Sequence, residues 1–379
     1  MPIEIRVHTP GKDVDDFIRA AYVVFKGDPA WVPPLDFDIR SRLTPKKNPL
    51  FQRADVTLFT AWKDGRLVGR ASATVDREHL RVWKDDTGFF GFLDTIDDEE
   101  VARALLDRAE KWLKQKGMKR VWGPMSLYSN DEIGMLIEGF EHPPVLMMAH
   151  SRDYQAKLVE ACGYTKEKDL WCWRYHKDTP FNERTKKAWE GVKAMPEVRL
   201  RSVDMSRFEE EIRTIVDIYN DAWDGKWAFV PATKPEVDKM VEEMKLVIDP
   251  DIAFMAEIDG KVAGMCIMVP NLNEVIHDLD GKLFPFGWAK LLWRAKVKHP
   301  KSTRLILLGI RGEARRNIKK YGGLASAMYL EVAKRGIAKG YEWSELSWTR
   351  EDDSPINLGI KSMGAKVYKK YRVYTKPLV

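Results

Sequence analysis

The sequence predicts an α/β protein of the α+β kind, built as two tandem domains, each with a mixed, mostly antiparallel central sheet flanked by helices. Three observations carry this expectation. A length of 379 residues exceeds one ordinary core and fits two. The order of apolar patterns in the first half returns in the second. Between the halves, HKDTPFNERTKKAWEGVKAMP (residues 176–196) is polar and interrupted by prolines, the composition of a boundary. It separates a first domain, 1–180, from a second, 195–379.

Taken in order, Ile3 to Val7 alternates as a strand and Val14 to Phe25 spaces its apolar residues as a helix. Val56 to Val75 reads as two antiparallel strands around a Lys63-Asp64-Gly65 turn. TGFFGFL at Thr87 to Leu93 is a third strand. A helix runs from about Asp98 to Lys116, stopped by Gly117, and a strand follows at Arg120 to Trp122. The second half repeats the series: strand Val198 to Ser202, helices Arg207 to Trp223 and Pro235 to Ile248, and a strand pair in Ile252 to Val269 around Asp259-Gly260. Then come the apolar strand Thr303 to Ile310, a helix ending near Gly340 and the strand Trp343 to Trp348. The halves also close alike, with EACGYTKEKDLWCWRY in the first and KSMGAKVYKKYRVYTK in the second.

Composition narrows the function. Cys162, Cys172 and Cys266 lack paired CxxC spacing, which excludes a disulfide framework and a thiolate zinc site. Seven scattered histidines do not build a metal site, so no metal is expected. There is no basic leader followed by an apolar run and no stretch of 18 apolar residues, which gives a cytoplasmic expectation. A net charge of +6 spread over this length favours anionic partners only weakly. Most Trp residues sit inside apolar patterns rather than along a basic groove, so no nucleic acid is expected.

KKYGGLASAMYLEVAKRG, from Lys319 to Gly336, joins a basic entry and two glycines to a helix. The first turn of a helix offers unpaired N–H groups and the positive end of the dipole, and small residues let a phosphate approach. Arg315, Arg316, Lys319 and Lys320 add mobile positive charge. The competing reading is that Gly322-Gly323 only bends the chain and Ala325 packs on a strand. The matching first-half turn, Leu93 to Glu100 (LDTIDDEE), has no glycine. Its carboxylates satisfy the dipole themselves and repel a pyrophosphate.

Other segments carry polar groups among apolar ones. In Gly123 to His150, Tyr128, Asn130, Asp131, Glu132 and His150 can form a pocket in which a carboxylate or imidazole takes a proton from an amine. Alternatively Ser129 or Asn130 caps a short helix and His150 is structural. In YNDAWDGKWAFVP, Asn220, Trp223 and Trp227 line an acceptor or acyl site, or are core aromatics. Glu236 is either a base or a helix-start glutamate. Gly281 to Gly312 holds eight Lys or Arg and no Asp or Glu. Trp288, Leu291, Leu292 and Ala295 share one helical face there, with Lys290, Arg294 and Lys298 on another. This is the pattern of a helix on an anionic membrane, reaching from 281 to 304, or of an ordinary packed helix.

The order of elements and the turn Lys320-Tyr321-Gly322-Gly323-Leu324-Ala325 resemble the GNAT acyltransferase superfamily, whose pyrophosphate signature has Gln or Arg where Lys320 stands. The resemblance covers nearly the whole chain as a tandem pair. It implies an acyl-CoA or acetyl-CoA co-substrate held by the second domain, with Gly309 and Ile310 at the splayed strand polarising the thioester carbonyl. It also implies an amine acceptor, with the first domain a degenerate copy on the acceptor side. Two positions depart from the family: Asp353 stands where many members carry a coenzyme-contacting Asn, and Ile360 where a Tyr often protonates the leaving thiolate. Tyr368, Tyr371 or a water must then serve as acid. The Gly-Pro...Asn-Asp-Glu segment and GAKVYKKYRVY are similar to bacterial N-acyltransferase-like proteins near the bacterial ceramide synthases, which implies a long-chain donor and a lipidic amine. A binder of acyl-CoA or of a membrane surface, without catalysis, is the alternative.

Overall fold

The computed structural model describes residues 2–378, apart from the side chains of Leu246, Ala295 and Lys296. In the first half, β1 (Glu4–His8), α1 (Asp15–Val24) and α2 (Asp36–Arg42) lead into β2 (Ala54–Lys63) and β3 (Arg66–Asp76). Then follow α3 (Arg77–Trp83), β4 (Thr87–Thr95), α4 (Glu99–Gln115), β5 (Arg120–Gly123), β6 (Met135–Glu138), α5 (Gln155–Ala161) and β7 (Thr165–His176). The segment read as a boundary folds into α6 (Glu183–Lys193), capped by the Asn182 side chain, which accepts from the Thr185 N–H at 2.7 Å.

The second half runs β8 (Val198–Ser202), α7 (Phe208–Trp223), α8 (Lys234–Val247), β9 (Ala253–Ile258), β10 (Lys261–Pro270), α9 (Asn273–Ile276) and α10 (Gly287–Trp293). A π-helical turn, Arg294–Lys298, precedes β11 (Ser302–Ile310). The chain ends with α11 (Gly312–Arg316), α12 (Ile318–Tyr321), α13 (Leu324–Ala338), β12 (Trp343–Arg350), α14 (Ser354–Ser362) and β13 (Lys366–Pro377). The hairpin turns fall at Asp64-Gly65 and Asp259-Gly260, all four at positive φ, where Gly and Asp are the residues that tolerate it.

All thirteen strands join one sheet in the order β1-β2-β3-β4-β5-β13-β7-β12-β11-β10-β9-β8, with β6 also on β13. Among the described residues, only β4·β5 and β11·β12 pair in parallel. The two closing strands are exchanged. β13, from the end of the chain, pairs with β5 of the first half, and β7, from the first half, pairs with β12 of the second. The two closers pair with each other. Hydrophobic cores follow this plan. One lies under α4 around Phe59, Phe90 and Leu105; a second lies under α13 around Phe254, Leu324 and Met328. A central cluster of Phe89, Trp122, Leu136, Leu170 and Tyr371, with Trp227 and Trp348 against it, draws on both halves.

Candidate active site in the cleft between β11 and β12

The site begins with a fault in strand register. Along β10 and β11 the pairing steps from Met268↔Leu305 to Ile267↔Leu307, one residue on β10 against two on β11. Ile306 is the extra residue, a β-bulge of the kind that bends a strand away from its neighbour. On the other side β11 pairs with β12 only as far as Leu305↔Leu346. Beyond that point the two parallel strands part.

The opening forms a cleft. Its walls are Leu305, Ile306 and Leu308 on one strand and Leu346 to Arg350 on the other. Tyr329 of α13 with Ile356 and Ile360 of α14 closes one end, and Trp223, Lys226 and Trp227 cover the other. The free edge of β11 faces this space. Arg311 N–H bonds the Ala263 carbonyl at 2.8 Å, and Met265↔Gly309 and Ile267↔Leu307 follow in the same phase. Antiparallel alternation therefore turns the peptide groups of Leu307 and Gly309 toward β10 and those of Leu308 and Ile310 toward the opening. Ile310 therefore presents its N–H to the opening. Gly309 does not: its N–H belongs to the ladder, and a Cβ there would meet Trp223 at 2.9 Å and Met265 at 3.0 Å. Leu308, not singled out from sequence, presents its N–H there instead.

The glycine turn adjoins this edge. α12 runs through Gly322 and Gly323 into α13, where Ala327 N–H closes on the Gly323 carbonyl at 2.9 Å. The N–H groups of Leu324, Ala325 and Ser326 ahead of it point out of the helix start. A Cβ on Gly322 would meet the Ile318 carbonyl oxygen at 2.5 Å. Gly323 faces α6 instead, with Ala188 Cβ 3.5 Å from its own Cβ position. Tyr321 is half-buried; Arg315, Arg316, Lys319 and Lys320 are exposed. Lys320 is held by Glu197 at 2.8 Å, a surface pair weak enough for a phosphate to displace. Arg315 reaches the Asp221 carbonyl at 3.4 Å.

Asp353 lines the cleft at the start of α14, 3.1 Å from Arg350 and 3.6 Å from Lys226. Burial lowers the Lys226 ammonium below its ordinary pKa, and Asp353 only partly opposes this. Burial pushes the Tyr329 phenol well above its ordinary value, so it keeps its proton at neutral pH. Lys226, Tyr329 and Arg350 were missed from sequence. Lys226 does lie in the YNDAWDGKWAFVP loop singled out above, whereas Tyr329, about 100° round the helix from Met328, gave no signal.

The other expected residues lie elsewhere. Arg42 clamps Asp131 at 2.7 Å and Glu132 at 2.9 Å. Burial raises the Asp131 carboxyl, with Arg42 opposing, and burial likewise lifts the Tyr128 phenol, whose ring faces Arg53 at 5.2 Å. Asn130 donates to the Val230 carbonyl at 3.0 Å and accepts from the Tyr219 hydroxyl at 3.4 Å, which ties the halves together. His150 pairs with Asp28 at 3.1 Å, beside the Phe25 ring, and burial lowers its pKa. These groups thus divide between separate partners and none lines the cleft. Tyr368 donates to the buried Glu345 and its phenol is raised far above the ordinary value by burial and that carboxylate; it too is outside the cleft lining. Asn220 is half-buried on α7 with Oδ1 lacking a partner among the described residues. Trp227 bonds Glu167 at 3.1 Å, and Glu236 pairs with Arg53 and caps α8.

The first half has the same fault, closed. β3·β4 shifts register between Arg70 and Ser72, and β4·β5 pairing ends at Phe89↔Trp122. There the next turn fills the gap: Met125 N–H bonds the Phe90 carbonyl at 2.8 Å. A Cβ on Gly91 would lie 1.9 Å from the Met125 carbonyl oxygen, so only glycine admits this plug. At the start of α4, Asp98 accepts from the N–H groups of Glu100 and Val101 at 2.9 and 3.4 Å. That helix end is satisfied by its own chain.

No family model matches the chain. It is 38% identical over 378 residues to the bacterial ceramide synthase of Caulobacter vibrioides (strain NA1000 / CB15N), covering 99% of this chain and 97% of that protein. It is 36% identical over 379 residues to protein YghO of Escherichia coli (strain K12), covering 99% and 95%. Among solved structures, the tandem GNAT protein from the clavulanic acid biosynthesis pathway superposes with a TM-score of 0.58 at 12% identity, covering 100% of this chain and 99% of that one. A GCN5-related N-acetyltransferase from Sphaerobacter thermophilus gives 0.55 at 15% identity, covering 99% and 96%. The fold is that of the tandem GNAT proteins. The chain belongs to the GNAT-fold acyltransferase family that includes the Caulobacter bacterial ceramide synthase.

Proposed function

We propose that the chain is an N-acyltransferase that moves an acyl group, long-chain in the preferred case, from acyl-CoA to a lipidic amine in the cleft between β11 and β12. The observation that carries this is the contrast between the two bulged strands, one opening onto an apolar cleft beside a basic helix start and the other plugged by Met125. Leu324 to Ser326 with Arg315, Arg316, Lys319 and Lys320 would hold the pyrophosphate and 3′-phosphate of the donor. Leu305, Ile306, Leu308 and Trp223 offer its acyl chain an apolar wall. The acceptor amine attacks the thioester carbonyl, whose oxygen gains charge against the Leu308 and Ile310 N–H groups. The C–S bond breaks as the C–N bond forms; Tyr329, the phenol in reach of the cleft, takes the place of Tyr368 as acid for the leaving thiolate, and the proton lost by the attacking nitrogen returns to the phenol through solvent. The likeness to the Caulobacter ceramide synthase supports a sphingoid-like acceptor, and peripheral contact with an anionic membrane through residues 281–304 fits the same substrate class.

Calorimetric titration with CoA, acetyl-CoA and palmitoyl-CoA tests the donor side. Tightest binding of the palmitoyl form is expected; no binding of any form would sink the proposal. A second reading, an acyl-CoA binder without turnover, is favoured by one observation: Ile360 is apolar and buried where the family's acid stands. Product formation from palmitoyl-CoA and sphinganine, reduced in Tyr329→Phe, decides for the enzyme. Binding without product decides for the binder.

A further inference from the structure

Among the described residues, the exposed Phe and Trp side chains are Phe37, Phe284, Phe286, Trp288 and Trp293. Four of these five lie in the insertion between β10 and β11. Phe284 is 83% exposed and Phe286 79%; Leu292 and Val297 are exposed beside them. Such a patch is unusual on a protein surface and marks an interaction site.

The polarity of the insertion is the reverse of a helix packed by its apolar stripe. Asp278 holds Lys290 at 2.6 Å and Arg294 at 2.9 Å, and Arg294 also donates to the Val275 carbonyl at 2.9 Å. Two of the three basic residues expected to face an anionic surface are therefore turned onto the protein, and the aromatics are turned out. The Ala295 position, expected on the apolar face, lies outside the described side chains. The base of the insertion is pinned to the first half, where Asp36 N–H bonds the Gly281 carbonyl at 2.9 Å and the Tyr22 hydroxyl reaches the Asp280 carbonyl at 3.4 Å. Phe37 follows Asp36 directly. Lys282 and Lys298 are exposed at the flanks, with the Lys298 ammonium 5.5 Å from the Trp293 ring centre.

We infer that Phe284, Phe286, Trp288 and Trp293 form a bilayer-docking element that inserts aromatic side chains at the headgroup boundary of an anionic membrane, with Lys282 and Lys298 as its charge contacts. The inference deepens the lipidic-acceptor reading and rests on it for its purpose. The occupant is a lipid surface because rings at the tip and lysines with apolar stems at the rim match an interface that is apolar inside and phosphate-lined outside. The insertion also feeds directly into β11, whose bulge at Ile306 opens the cleft, so docking brings the cleft's strand to the source of a membrane-dissolved amine.

Flotation of the full chain with vesicles of phosphatidylglycerol and phosphatidylethanolamine, and with phosphatidylcholine alone, tests this. The wild type is expected to float with the anionic vesicles and more weakly with the neutral ones. Replacing the four aromatics by Ser should weaken both by about a hundredfold. Lys282→Gln with Lys298→Gln should cost about thirtyfold on anionic vesicles only. Lys290→Gln should change binding by less than about twofold, since that charge is already paired. Unchanged binding of the four-Ser variant overturns the inference. So does a wild type that floats with neither vesicle, or one that is dimeric without lipid and becomes monomeric with the four Ser residues. Acylation of detergent-dispersed sphinganine from palmitoyl-CoA, measured without vesicles, keeps the two proposals apart. Its absence in the wild type counts against transfer, whereas intact turnover without flotation removes only the docking element.

Discussion

Gly309→Ala is the substitution through which the cleft reports on itself. The new Cβ stands 2.9 Å from Trp223 Cζ3, 3.0 Å from Met265 Cε and 3.4 Å from Ala222 Cβ. Restoring ordinary contact at ~3.5–4 Å requires one neighbour to retreat by roughly 0.6–1 Å. Met265 can swing its terminal methyl. Trp223 is backed by the Tyr219 ring at 4.7 Å, so its relief lies toward the cleft. Overpacking costs ~1–3 kcal/mol, and Ala in place of Gly in a strand returns ~0.5–1 kcal/mol. A net loss of about 1 kcal/mol lowers Tm by about 2 °C. In the cleft the ring takes the room of about one methylene, worth ~0.8 kcal/mol or about fourfold in affinity. Palmitoyl-CoA should therefore bind about fourfold more weakly while CoA itself is unaffected, as read by calorimetry alongside a thermal melt. Equal weakening of both ligands, or a lowered Tm with palmitoyl-CoA binding unchanged, would refute the placement of the acyl chain against Trp223.

Gly323→Glu is expected to abolish CoA binding by placing a carboxylate at the helix start, whereas Gly323→Ala, whose Cβ meets Ala188 at an ordinary 3.5 Å, should keep it; equal affinities for both variants would remove the phosphate cradle. Arg42→Met strands two carboxylates that are 18% and 26% exposed, and should cost about 2–3 kcal/mol in urea unfolding. Adding Asp131→Asn and Glu132→Gln should recover most of that loss; no recovery would mean the carboxylates are not held for charge pairing. Asp85 is desolvated by burial, yet bonds from His79 and Thr87 and the charge of Arg120 bring its pKa down to about 2. A folded-state pKa below the ordinary 3.8 means the stabilisation is complete above pH ~4 and is lost as pH falls toward 2. Asp85→Asn should flatten that acid limb in melts between pH 2 and 5, and an unaltered limb would assign it to other carboxylates.

Much of the architecture was written in local pattern. The paired strands around Asp64-Gly65 and Asp259-Gly260, and the helices at Asp98 to Lys116 and Arg207 to Trp223, follow from periodicity and turn chemistry, which act over a few residues. Short helices such as α2 and α3 escaped because they offer too few turns for a stripe to show, and α6 escaped because its polar, proline-flanked sequence reads as a boundary. The exchange of β7 and β13 was illegible for another reason: the two closing segments have the same apolar alternation, so either fits either partner. At the site, the glycine turn and the Trp223–Trp227 loop were readable from small residues and aromatics in sequence. The bulge at Ile306 was not, because register is a relation between strands. Asp131 and Glu132 read as chemistry because Arg42, ninety residues away, gave no local sign of neutralising them.

The exchanged closing strands make the order of synthesis matter. When residues 1–180 have emerged, β5 has no partner on its outer side and β7 has only itself to offer, since β12 and β13 are still unmade. Those open edges seek any strand, including one from another nascent chain. The last twelve residues of the β13 register, Lys366–Pro377, complete both halves at once. A nonsense change or a proteolytic cut near residue 365 would thus unzip the centre of the molecule rather than shorten its end, and two fragments split at 180–195 would regain a whole sheet only by finding each other.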